Sequence, residues 1–132
     1  MFADYRVPQA LYHFHCLHYS PELHQVLESG GLLPNGSPFE VEIRGNAIWA
    51  VELIRRRLLE LIKEDWAAYA AAQEEEEEKE ENDGQKVEKP KMTTVNAILI
   101  DYFIWVFAKE AKQDLSEGER PVKVHRTRSV FY

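Results

Sequence analysis

A chain of 132 residues has room for one domain, and with 45% hydrophobic residues it can bury a core. Its net charge of -7 excludes a general nucleic-acid binder, which needs a basic face to neutralise phosphates. The acid is concentrated: Glu74 to Glu81 holds seven Glu and one Lys, and the remainder is close to neutral.

The single cysteine, Cys16, cannot form an internal disulfide, which suits a reducing compartment. No apolar run reaches the roughly 18 residues of a membrane span. No basic stretch followed by an apolar one opens the chain, so no signal peptide is read and the expected location is cytoplasmic.

Pro8 suits the first turn of a helix, where its missing N–H costs nothing. Ala10, Leu11, Phe14, Leu17 and His18 then recur at helical spacing. A second helix starts at once, with Ser20 as cap, Pro21 in the first turn and Glu22 at the positive end of the dipole. It carries Leu23, Val26 and Leu27 and stops at Gly30-Gly31. Leu32 to Pro38 reads as turn chemistry.

Phe39 to Arg44 alternates apolar and charged residues and predicts a short extended segment, either a strand or a stretch packed beside helices. Glu40, Glu42 and Arg44 would form a charge network fixing it. After Gly45-Asn46 comes the longest periodic element, with Ile48, Val51, Leu53, Ile54, Leu58, Leu59, Leu61 and Ile62 on one apolar face. It runs on through Trp66 to Ala72. Residues 73–92 read as a disordered acidic insertion with almost no apolar residue to offset the entropy of ordering. Thr94 is placed to cap a last helix from Val95 to about Lys112, apolar nearly all round and therefore expected at the centre of the fold. Gly118 and Pro121 end the helical region. The tail from Val122 to Tyr132 sets Lys123, His125, Arg126 and Arg128 among apolar residues.

Two acids stand out. Asp4 lies directly before the first helix, where it can cap that helix, pair with Arg6, or face a cleft and stabilise a positive charge developing on a sugar. Asp101 interrupts the most apolar helix. A carboxylate there needs a hydrogen-bond or charge partner, such as Arg44, Arg126 or Arg128, unless it serves a ligand. His13, His15, His18 and His24 do not fall into a ligand spacing. His13 and His15 point to different sides of a helix, and no third ligand follows His15 and His18. Cys16 lacks a partner for nucleophilic catalysis and reads as a small core thiol. Arg126 or Arg128 could bind a phosphate.

Six segments carry a family resemblance: Phe2-Ala-Asp-Tyr-Arg-Val-Pro-Gln9, Leu17-His-Tyr-Ser20, Glu40-Val-Glu-Ile-Arg-Gly45, Trp49-Ala-Val-Glu-Leu-Ile54, Leu99-Ile-Asp-Tyr-Phe-Ile-Trp105 and His125-Arg-Thr-Arg-Ser-Val-Phe-Tyr132. In this order and spacing they resemble the C-terminal part of the queuosine salvage proteins, which are queuosine 5'-phosphate N-glycosylases/hydrolases. The resemblance implies an all-α fold similar to helix-hairpin-helix DNA glycosylases, of which this chain is the C-terminal part of a single larger domain. It implies hydrolysis of the glycosidic bond of queuosine 5'-phosphate, releasing queuine for reinsertion into tRNA by a separate enzyme. No cofactor, metal, membrane or direct nucleic-acid contact is implied. The expected partners are the small-molecule substrate and an N-terminal portion supplying the rest of the pocket.

By the same matching, Asp4 takes the catalytic carboxylate position, Phe2 lies beside it, and Asp101 and Tyr102 take positions that contact the base. The family often has a further acid five residues after Asp101. Val106 stands there in this chain, which bears on contact to the polar cyclopentene-diol arm of queuine. A different class of reading is a non-catalytic helical module that binds a partner through its apolar face.

Overall fold

A computed structural model describes residues 4–77, 95–111, 115, 117 and 121–128, with side chains at 69–77 left aside. The described residues are all-α, with four helices in the order α1 (Arg6–His13), α2 (Pro21–Glu28), α3 (Pro38–Glu77) and α4 (Ala97–Glu110). The described residues contain no strand. One isolated parallel bridge joins Leu33 to Thr127.

The centre of the fold is α1. Val7, Pro8, Gln9, Ala10, Leu11 and Tyr12 are all buried, so this helix is enclosed on every side. Val7, Ala10 and Leu11 pack with Ala47, Ala50 and Val51 of α3 and with Ile100, Ile104 and Ala108 of α4. Small residues at positions 10, 47, 50 and 108 let the three helices approach closely. A second cluster joins Tyr12 to Leu23 and Leu27 of α2, Leu33, Ile43 and Val122.

The two short helices form as their termini dictate. Ser20 accepts a hydrogen bond from the Leu23 amide, Pro21 is the first residue of α2, and Gly30 beyond its end takes φ +69°. The first helix stops earlier than its apolar spacing implies. His15 adopts φ 60°, and the chain reverses at Phe14–Cys16. This turn leaves Cys16 exposed, not in the core.

Phe39 to Arg44 is not extended. Pro38 opens α3, and this segment is its first turns. The buried residues are Glu40, Ile43, Ala47, Ala50 and Val51, a helical stripe that continues straight through Gly45. Glu40 and Arg44, four apart, pair on one face. Glu42 lies on the exposed side, outside that pair.

Beyond Val51 the apolar face of α3 leaves the core. Ile48, Leu53, Leu58 and Leu61 are exposed, and Ile54 is half-buried. Ion pairs along the helix support it there: Arg55 and Arg56 donate to Glu52 at 2.7 Å and 2.9 Å, and Arg57 to Glu60 at 3.1 Å. Those two arginines hold the Glu52 carboxyl at about 2, well below the usual carboxylate range. The helix reaches Glu77, so its last residues belong to the acidic stretch expected to be disordered; the rest of that stretch lies outside the described residues.

The last helix is capped by Asn96, whose side chain accepts from the Leu99 amide at 3.0 Å; Thr94 lies outside the described residues. It is not enclosed. Ile100, Asp101, Ile104 and Ala108 form its buried face, while Ile98, Leu99, Tyr102 and Phe103 form an exposed apolar one. The expected central helix is thus a flank of α1.

The tail segment 121–128 is pinned back across the fold. Gln9 donates to the Val122 carbonyl at 2.8 Å, Lys123 to the Glu28 carbonyl at 2.7 Å, and the Leu33 amide to the Arg126 carbonyl at 2.7 Å. These bonds lay His125, Arg126 and Arg128 beside the N-terminal end of α1.

Gly45 is exposed inside α3, and a Cβ built on it meets nothing within 4 Å. Gly45→Ala should therefore raise the unfolding free energy by about 0.5–1 kcal/mol, read as a higher midpoint in urea with an unchanged slope.

Candidate active site

The site begins where α1 begins. Tyr5 precedes the helix, but the orphan amide of Arg6 is satisfied by the Asp4 side chain, through Oδ1 at 2.7 Å. The other oxygen, Oδ2, accepts from the indole Nε1 of Trp105 at 3.1 Å. Asp4 is half-buried, held from two directions and still in reach of solvent. A carboxylate oxygen has more than one lone pair, so both oxygens keep acceptor capacity toward a ligand.

Trp105 lies on α4 four residues beyond Asp101. The two share a face, separated by one turn or about 6 Å along the axis. The hydrogen bond from Trp105 thus brings Asp4 to the face of α4 that carries Asp101. Asp101 is buried, with 8% of its surface exposed, beside Ile100 and Ile104. Tyr102 points off that face and is 66% exposed, next to Phe103 at 71%. Val106 is half-buried. Phe2 lies outside the described residues.

The two residues that follow Asp4, Tyr5 and Arg6, line a cleft of about 520 Å³ together with Arg44, His125, Arg126 and Arg128 among others. Arg44 is half-buried and paired with Glu40, whose second oxygen accepts from the Gly36 amide at 3.1 Å. His125 is buried, with 5% exposed. Burial, then the Arg44 charge, pushes its imidazole down to about 4, while Glu40 and Asp4 pull weakly the other way. His125 is therefore neutral at physiological pH, and it is near enough to Asp4 to feel its charge.

His13 and His24 have structural surroundings, while His15 and His18 are exposed. His24 Nε2 and the Tyr12 hydroxyl share a hydrogen bond of 2.6 Å, and His13 packs edge-on against Phe14. Tyr12 and Tyr19 stack with centroids 4.8 Å apart. Burial, with Tyr12 close by, raises the Tyr19 hydroxyl above its ordinary value. Among the described residues no group of three or more His, Cys, Asp or Glu is arranged to hold a metal, and no helix is long and apolar enough to cross a membrane.

Sequence reasoning placed Asp4 before a helix and Asp101 in an apolar one. It did not find Trp105 as the partner of Asp4, or His125 as a buried group in the cleft. Those pairings join residues about a hundred positions apart, and no local pattern encodes them.

The whole chain, residues 1–132, matches the profile of the queuosine salvage protein family. The chain belongs to that family. It is 42% identical over 132 residues to the queuosine 5'-phosphate N-glycosylase/hydrolase of Mus musculus, covering 100% of this chain and 31% of the mouse protein. The protein of the same name from Bos taurus is 38% identical over 134 residues, with 100% and 31% covered. The one from Sphaerobacter thermophilus is 34% identical over 131 residues, with 99% and 29% covered. The chain thus spans about a third of the length of these queuosine salvage relatives.

Two outcomes check the site's geometry. Trp105→Phe keeps the ring but removes the donor to Asp4, and should lower unfolding free energy by about 1–2 kcal/mol in denaturant titration. An Asp4→Ala background should abolish most of that difference, because the bond is already gone. For His125, an ordinary imidazole takes its proton near 6.5 in the unfolded chain, but the folded one does so only near 4. Between those values the unfolded chain binds more protons, so acidification destabilises the fold. The urea midpoint should fall from pH 6.5 to pH 5, above the range of most carboxylates. His125→Gln should flatten that part of the curve.

Proposed function

We propose that this chain contributes the catalytic carboxylate, and part of the base pocket, for hydrolysis of the N-glycosidic bond of queuosine 5'-phosphate, releasing queuine. The observation that carries the reading is the setting of Asp4: a half-buried carboxylate oriented by the Arg6 amide and the Trp105 indole, at the edge of a cleft, in a member of the queuosine salvage family.

Breaking the bond between the sugar's anomeric carbon and the base nitrogen leaves positive charge on the ribose. The bonding electron pair departs with the base. A carboxylate beneath that carbon stabilises the oxocarbenium character, or traps it covalently before water completes the hydrolysis. Water supplies the hydroxyl that ends on the sugar and the proton that ends on the base. Two fixed hydrogen bonds suit Asp4 to this task, because a preset carboxylate need not reorganise as charge develops.

Queuine is a 7-deazaguanine. The ring nitrogen that purine-releasing enzymes commonly protonate is a carbon in it, so help for the leaving group comes from bonds elsewhere on the base. Asp101 is assigned to the guanine-like edge, accepting from its ring N–H and exocyclic amine. Tyr102, and Phe2 near the start of the chain, are assigned to its flat faces. With Val106 replacing a family acid, this chain offers one fewer acceptor for the diol arm.

The exposed apolar face of α4, with Ile98, Leu99, Tyr102 and Phe103, favours a second reading, in which the chain is a helical module that binds a protein partner. Incubation with queuosine 5'-phosphate, followed by chromatography for free queuine, separates the two. Release by the chain alone, or on adding the remaining portion of a relative, supports the glycosylase. Absence of release in both supports the module. Where release occurs, Asp4→Ala should lower kcat by at least about a hundredfold with the helical circular dichroism retained. Asp101→Asn should raise KM by about tenfold or more.

A further inference from the structure

The indole that holds Asp4 carries a cation on its face. Lys109 Nζ lies over the Trp105 ring, 5.4 Å from the centroid. The two residues are four apart on α4, the spacing at which side chains of a helix meet. Lys109 is in the last turn of that helix, where the terminal carbonyls favour a positive charge. Its side chain is exposed, and among the described residues it has no ion-pair partner, although the chain carries a net charge of -7.

Trp105 therefore stands between two charges. Its π face meets the ammonium, and its Nε1–H donates to Asp4 Oδ2 at 3.1 Å. The two contacts reinforce each other. A cation over the face draws π density toward itself and leaves the N–H more positive, so the indole donates more strongly. A carboxylate on the N–H returns density to the ring and makes its face a better seat for the cation. The ring is half-buried and packs against the cluster that α1, α3 and α4 share, so both contacts act on a side chain already held by the core. Trp49 on α3 lies under a cation too, Arg56 at 5.2 Å, but among the described residues no carboxylate accepts from it. The link through the ring to an acid is what sets Trp105 apart.

We propose that Lys109 is a positioning residue for Asp4: through the Trp105 ring it strengthens and aims the indole hydrogen bond that orients the carboxylate. The relay stands on the two contacts. Its part in catalysis rests on the glycosylase reading, in which the orientation of Asp4 decides how well it meets the charge developing on the ribose.

The relay can be read without substrate, from the indole N–H resonance of Trp105 in the isotope-labelled chain, assigned by its loss in Trp105→Phe. Lys109→Met keeps the aliphatic stem and removes the charge. It should move this resonance upfield, in the direction that Asp4→Asn moves it, and speed the exchange of the proton with solvent. Lys109→Arg restores a cation and should return the resonance. The Trp49 resonance is the reference and should stay in place. Where queuine is released, Lys109→Met should lower kcat about two- to fivefold with KM unchanged, which is the strength of an exposed cation–π contact expressed as a rate. In a Trp105→Phe background, where the N–H is already gone, the same change should cause no further loss. An unmoved Trp105 resonance in Lys109→Met, a shift that Lys109→Arg does not reverse, or an equal loss of kcat in the Trp105→Phe background would each overturn the proposal. A Trp105 resonance that depends on Lys109, in a chain that never releases queuine, would support the relay and count against the glycosylase reading alone.

Discussion

The first carboxylate of the chain is tied to α4, and the candidate site depends on that tie. Asp4 accepts from the amide that starts α1 and from the indole of Trp105 on α4. Either bond alone would leave the side chain a rotamer to choose. Together they define one orientation and set the start of the enclosed helix against the face that carries Asp101. The carboxylate therefore has a structural duty and an exposed edge at once. A cap does not consume all of a carboxylate's acceptor capacity, so the two uses are compatible.

The enclosure of α1 explains why this tie can be precise. Six successive residues of a two-turn helix are buried, so α1 cannot slide against α3 or α4 without breaking close-packed contacts. Its polar side chain at Gln9 is spent on the Val122 carbonyl, which draws the tail over the same helix. The acid at the start of the helix and the tail that carries Arg126 and Arg128 are thus both anchored on α1. Rigid support of this kind is what charge stabilisation needs, because a loose carboxylate would have to reorder as charge appears.

What the sequence disclosed follows the range of the interactions. The Ser20 cap, the Pro21 start and the Gly30 stop are decided within a few residues, and each is legible without a fold. Phe39 to Arg44 misled because six residues satisfy the two-residue and the 3.6-residue period about equally. Only when Ala47, Ala50 and Val51 are added does the helical stripe appear, and Gly45 reads as a break although nothing crowds it. The apolar character of α4 signals burial on all sides. Tyr102 and Phe103 show that composition gives no direction for the face that stays uncovered. Cys16 was read from its type, and a turn at His15 put it outside. Asp4 and Asp101 could be singled out because charge is conspicuous in apolar or terminal settings. Trp105 and His125 could not, since an aromatic in a core helix and a histidine in a basic tail are ordinary until the fold brings each to Asp4.

The electrostatics of the proposed site join its two halves. Several guanidinium groups line the cleft beside Tyr5 and Arg6, and a positive field of that kind opposes a cation forming close by. A neutral His125 limits that field, because a protonated imidazole in the cleft wall would add to it.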